Sequence, residues 1–167
     1  MSKTRDRCFV LWADRFDEAA AVIFVTEFRK AGLRTSLVRA AGQSDTGANG
    51  LTLVPDMSID ESRALADRAA CVVIPCSTPA IQQLRIDPRV GEFLDAALAG
   101  DVRLVVGQQT GGLAAWNGTA GSAEITLYSD QQSVPRLARR LAHQLASEQV
   151  KVRQKRVRAG LAKPHAL

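Results

Sequence analysis

The sequence predicts one α/β domain in three layers, a mostly parallel sheet between helices, closed by a long C-terminal helix. Three observations carry that expectation. The runs C-F-V-L-W-A (Cys8 to Ala13) and C-V-V-I (Cys71 to Ile74) are continuous and apolar, as in strands covered on both faces. Stretches of helical periodicity alternate with such runs along the chain. The last of them, with Val134, Leu137, Leu141 and Leu145 at helical spacing, is the longest.

Taken in order, Cys8 to Ala13 is the first strand. Asp17 and Glu18 then open a helix near the positive end of its dipole, and Val22, Phe24, Val25 and Phe28 supply its core side. Gly32, just after Lys30, stops that helix. Arg34 to Arg39 is the second strand, and the Gly/Ser/Asp/Asn-rich stretch 41–50 is an exposed loop. Leu51 to Val54 reads as a short third strand. Ser58 with Glu61 forms a capping box for a helix running to about Ala69. Cys71 to Ile74 follows, broken by Pro75. Pro88 to Leu98 is helical, Val102 to Val106 and Glu124 to Tyr128 are strands, and G-Q-Q-T-G-G (107–112) is a tight turn. Pro135 suits the first turn of the final helix.

A chain of 167 residues with 46% hydrophobic content buries a substantial core. No apolar run approaches the roughly 20 residues needed to span a bilayer, and M-S-K-T-R-D-R lacks the apolar stretch of a signal peptide. Cys8, Cys71 and Cys76 are an odd set, two of them inside apolar runs, which favours reduced thiols in a cytoplasm. His143 and His165 stand alone, so no metal site is expected, and no cofactor. Charge is unevenly placed. Of 22 basic residues six lie in 151–167 with no acid among them, leaving 16 basic against 17 acidic residues in the rest. The net +5 therefore resides in the tail, which divides the chain into a near-neutral domain, 1–150, and a basic extension, 151–167.

In open α/β sheets, ligands lie beyond the carboxyl ends of the strands. Those ends carry Asp17 and Glu18, Cys76 and Ser77, and Gln108, Gln109 and Thr110, which together make the candidate pocket. Adjacent helical acids do not face one another, so Asp17 and Glu18 are better read as dipole partners than as an acid–base pair. Cys76 offers a thiol to the pocket or fills space as a small buried residue, and the second reading is preferred. Gln108, Gln109 and Thr110 offer amide and hydroxyl groups to a polar ligand, or are ordinary turn residues. Trp12 and Trp116 are read as core or subunit-contact aromatics. No nucleophile–base pair is evident.

The segments C-F-V-L-W-A-D-R-F-D-E-A-A-A-V-I, L-V-P-D-M-S-I-D-E and C-V-V-I-P-C-S-T-P-A-I-Q-Q-L, in that order, resemble the ThiJ/PfpI family of the class I glutamine amidotransferase-like superfamily. The resemblance covers roughly residues 8 to 130. It implies a flavodoxin-like α/β sandwich, commonly dimeric. Catalytic members use a Cys at a strand-to-helix turn, a Glu early in the first helix, donors from a Gly-Gly turn and often a His. A thiolate nucleophile needs an acid or imidazole to tune it and fixed donors to meet the oxyanion. On this sequence the Glu position falls on Ala20, the Gly-Gly turn on Cys76-Ser77, the nucleophile on Gln108 or Gln109, and the His near Tyr128 and Ser129. Each departs from the pattern.

The resulting expectation is a non-catalytic domain that acts by association, as a homodimer with a partner-binding C-terminal helix. Lys151, Arg153, Lys155, Arg156 and Arg158 would hold an anionic protein, or nucleic acid through sequence-independent phosphate attraction. Two alternatives stay open: a diverged cysteine enzyme using Cys76, and a small-ligand sensor with its pocket at Gln108 and Gln109.

Overall fold

A computed structural model describes residues 4–40, 45–76, 83–84, 86–107 and 123–161. Along the chain run β1 (Arg7–Trp12), α1 (Glu18–Lys30), β2 (Arg34–Arg39), β3 (Met57–Ser58), α2 (Ile59–Arg63), a single 3-10 turn (Ala66–Arg68), β4 (Ala69–Ile74), α3 (Pro88–Leu98), β5 (Arg103–Gly107), β6 (Glu124–Tyr128) and α4 (Val134–Leu161). The sheet order is β3-β2-β1-β4-β5-β6, and every pairing is parallel. Without the two-residue edge strand β3, the order is that of a flavodoxin-like sheet, whose switch point lies between β1 and β4.

Alternation along β1 distributes the core. The Phe9 ring meets Phe93 of α3 edge-on, whereas Trp12, an odd number of residues away, faces the opposite layer and stacks on Phe16. On Trp12's side α1 packs against α4, and Phe24 approaches Tyr128. The final helix buries Val134, Leu137, Ala138, Leu141, Ala142 and Leu145. From Val150 to Gly160 every residue is exposed, so the last turns of α4 overhang the domain.

Three expectations are corrected. Leu51 to Val54 is not a strand: Leu51 and Val54 are exposed, and only Thr52 makes an isolated antiparallel bridge, to Thr46. The edge position beside β2 is taken instead by Met57–Ser58. Asp56 sets that register, its backbone N–H donating to the Leu37 carbonyl and its carboxylate accepting from the Leu37 N–H at 2.7 Å. The capping box of Ser58 and Glu61 is formed, but its helix ends at Arg63; Arg68 then pairs with Asp6, and Ala69 already belongs to β4. Val22 is exposed, because it lies two residues from Phe24 and so on the far side of α1, where Ala20 and Ala21 take its place in the core.

Candidate functional site

A cavity of about 400 Å³ opens at the carboxyl ends of β1, β4, β5 and β6. Arg15, Asp17, Asn49, Cys76, Tyr128, Asp130 and Gln131 contribute to its walls. The chain leaves β1 through Arg15, whose φ of 56° lies in the left-handed region, a costly conformation for a residue with a side chain. Hydrogen bonds at the two residues that follow hold that bend: Asp17 N–H donates to the Pro75 carbonyl at 2.6 Å, and Ala48 N–H to the Phe16 carbonyl at 2.9 Å. The bend delivers Asp17 to the cavity as the N-cap of α1. Its carboxylate accepts from Ala20 N–H at 3.0 Å and from the Gln131 amide at 3.4 Å.

Cys76 follows β4 and is 4% exposed. Burial pushes its thiol up to about 12; the Ala13 backbone N–H pulls it down, and the nearby Asp17 charge raises it again. The Tyr128 hydroxyl is raised likewise, first by burial and then by Asp17 and Cys76. Gly107 leaves room for that ring: a Cβ there would stand 3.3 Å from the Tyr128 Oη. Near neutral pH the two groups therefore stand as a neutral thiol and a neutral phenol. The thiol is a weak donor and acceptor and the phenol an ordinary one, and neither is an anionic nucleophile.

Of the residues expected at the pocket, Asp17 and Cys76 are brought together, while Ser77, Gln108, Gln109 and Thr110 lie outside the described residues. Glu18 is not part of the wall. Its side chain is buried and turned toward the 47–51 turn, where Oε1 accepts from Asn49 N–H at 2.7 Å and Leu51 N–H at 3.4 Å. Burial acts to raise this carboxyl, but its own backbone N–H and those of Asn49 and Leu51 outweigh it, and the net shift is downward. Gly47 closes over the same carboxylate, and a Cβ there would collide with it and come within 2.8 Å of the Glu18 Cβ. Ala20, at the position the resemblance gives to a catalytic Glu, is buried in the core.

Arg15, Asn49, Asp130 and Gln131 were not legible as site residues. Asn49 and Gln131 are tied to the start of α1 by distant hydrogen bonds, to Glu18 and Asp17, whereas Asp130 sits in a turn closed locally by Ser133; none is marked as a site residue by the local pattern. Among the described residues no group of three or more His, Cys, Asp or Glu side chains is placed to hold a metal ion. No helix among them is long and apolar enough to cross a membrane.

The DJ-1/PfpI family model matches residues 6–123, most of the chain. The chain belongs to the DJ-1/PfpI family. Solved structures of the same architecture include Drosophila melanogaster DJ-1beta, at 18% identity and a TM-score of 0.71, with 99% of this chain and 100% of that one covered. Schizosaccharomyces pombe DJ-1 matches at 13% identity and a TM-score of 0.64, covering 95% and 100%. A putative protease I from Bacteroides thetaiotaomicron matches at 11% identity and 0.62, covering 84% and 99%. These likenesses establish the fold. No curated protein matches the sequence.

Proposed function

We propose that this DJ-1/PfpI domain is non-catalytic and works by association, as a homodimer whose basic C-terminal helix engages an anionic partner. The buried, neutral Cys76 thiol carries the first half of the reading. A thiol whose ionisation is pushed up to about 12 supplies almost no thiolate near neutral pH, and among the described residues no carboxylate or imidazole lowers it. The nearest acid, Asp17, acts in the opposite direction. Glu18, the acid early in the first helix, is engaged by backbone N–H groups and is turned away from the cavity. The second half rests on α4, whose overhang carries five cations between Lys151 and Arg158 and no acid.

The test is turnover on α-oxoaldehydes and peptides by the full chain and by Cys76→Ser, alongside sedimentation of the full chain. The expected result is no turnover by either protein, and a dimer. Turnover abolished by Cys76→Ser would overturn the non-catalytic reading, and a monomer would overturn the homodimer. A second reading, a small-ligand sensor, draws on the cavity of about 400 Å³, a size that suits a small molecule, and on its polar wall of Arg15, Asp17, Asn49 and Gln131.

A further inference from the structure

At the opposite end of the sheet from the Cys76 cavity, a groove of about 830 Å³ runs beneath the overhang of α4. Its floor is the start of the strands and the end of α1, with Leu33 and Ala70 contributing apolar surface. Its roof is α4, from which Gln149, Val152, Arg153 and Arg156 all reach the groove. Their spacing of i, i+3, i+4 and i+7 defines one helical face. Lys151, Lys155 and Arg158, spaced i, i+4 and i+7, form another face, about 200° around the helix from the first, and none of them lines the groove.

The two sets of cations differ in setting. Arg34 and Arg103, on the floor, are already paired, Arg34 with Asp6 and Arg103 with Glu148 and Glu124. Among the described residues, Arg153 and Arg156 carry no hydrogen bond or ion pair. Beside them the Gln149 Nε2 is buried without an acceptor. The roof therefore presents two free guanidinium forks one helical turn apart and the exposed apolar side chain of Val152.

We propose that this groove binds an acidic amphipathic helix of a protein partner, with two carboxylates one turn apart meeting Arg153 and Arg156. The inference rests on the association reading above and names its partner class and its site. Guanidinium forks match carboxylates in bidentate geometry, and carboxylates at i and i+3 or i+4 repeat at the spacing of the two arginines. A partner's apolar stripe would cover Val150 and Val152, both exposed at the groove. Asp6 and Glu148 on the walls are held by arginines, leaving Asp101 to disfavour a dense phosphate backbone, and a groove beneath an overhang admits a helix but not a flat bilayer. A second copy of the overhang is disfavoured by its own charge.

Fluorescence anisotropy tests this with a labelled peptide of about four helical turns, bearing Glu at i, i+3 and i+7 beside a Leu stripe. A scrambled peptide of the same composition, a mixed-sequence DNA duplex and phosphatidylserine vesicles are the competitors. Three full-chain variants are compared: Arg153→Glu/Arg156→Glu on the groove face, Lys155→Glu/Arg158→Glu on the outer face, and all five cations from Lys151 to Arg158 changed to Gln. Circular dichroism checks that each stays helical. The groove-face pair is expected to weaken peptide binding by more than about 30-fold and the outer-face pair by less than about 3-fold, although both change net charge equally. The five-Gln chain should lose binding, and the scrambled peptide should bind weakly. Equal loss in the two pairs, with binding abolished in the five-Gln chain, would overturn the groove assignment and leave the association reading standing. Unchanged binding in the five-Gln chain would overturn both. No binding by the wild-type chain, or a preference for DNA or vesicles, would overturn the partner class.

Discussion

Glu18→Ala tests whether this buried acid serves structure, holding the 47–51 turn against the start of α1. In the folded chain Oε1 accepts one close backbone N–H, from Asn49 at 2.7 Å, and one long one, from Leu51 at 3.4 Å. A hydrogen bond to a charged group contributes about 1.5–3 kcal/mol, and only the first has full strength. The other oxygen, Oε2, is buried without a partner, and its desolvation offsets part of the gain. The net loss on truncation is therefore about 2 kcal/mol near neutral pH, a fall in Tm of about 6 °C for a chain of this size. Glu18→Gln keeps an acceptor and removes the charge, so it should cost about half as much. The pH dependence has a definite sign. The folded-state carboxyl ionises below its ordinary 4.5, so its contribution is complete above that pH and is lost as pH falls through the folded-state value. Urea unfolding at neutral pH and near pH 3 measures the gap between wild type and variant, and amide exchange at Asn49 and Leu51 reads the turn itself. A gap that stays constant down to pH 3, or amides whose protection is unchanged in Glu18→Ala, would refute this role for the carboxylate.

Gly47→Ala should destabilise by about 1–3 kcal/mol, because the new Cβ meets both the carboxylate and the Cβ of Glu18; combining it with Glu18→Ala removes the carboxylate but keeps the Cβ, so only part of that loss should be recovered, and fully additive effects in urea unfolding would contradict the contact. Deleting 151–167 should move the Tm by less than about 3 °C, since residues 151–160 are exposed; a larger fall in a thermal melt would make the overhang part of the core.

Most of the fold was legible because it rests on local signals. The second strand, Arg34–Arg39, the Pro88–Leu98 helix and the late strand Glu124–Tyr128 were all bounded correctly by apolar pattern, Gly and Pro. The third strand was misplaced because its position depends on Asp56 reaching the backbone of Leu37, a contact no sequence window contains. The site was harder. Asp17 could be placed at a strand end, and Cys76 was read as a small space-filling residue, in keeping with its burial. The role of Glu18 was missed because a first-turn acid has a sufficient local explanation in the helix dipole. Only the fold brings the Asn49 and Leu51 N–H groups, more than thirty residues away, to its carboxylate. The overhang's charge was evident from composition, but its division into two faces, one above a groove, needed the packing of α4 on α1.

The central proposal, that the Cys76 thiol at the strand-end cavity is not ionised near neutral pH, is tested most directly by iodoacetamide labelling of the folded chain across pH, with Cys76 resolved by mass spectrometry. Burial and the neighbouring Asp17 predict that Cys76 stays unmodified from about pH 6 to pH 9 and reacts only at much higher pH or on unfolding. A labelling profile with its midpoint near neutral pH would mean that the thiol is activated in the folded protein, and would contradict the claim.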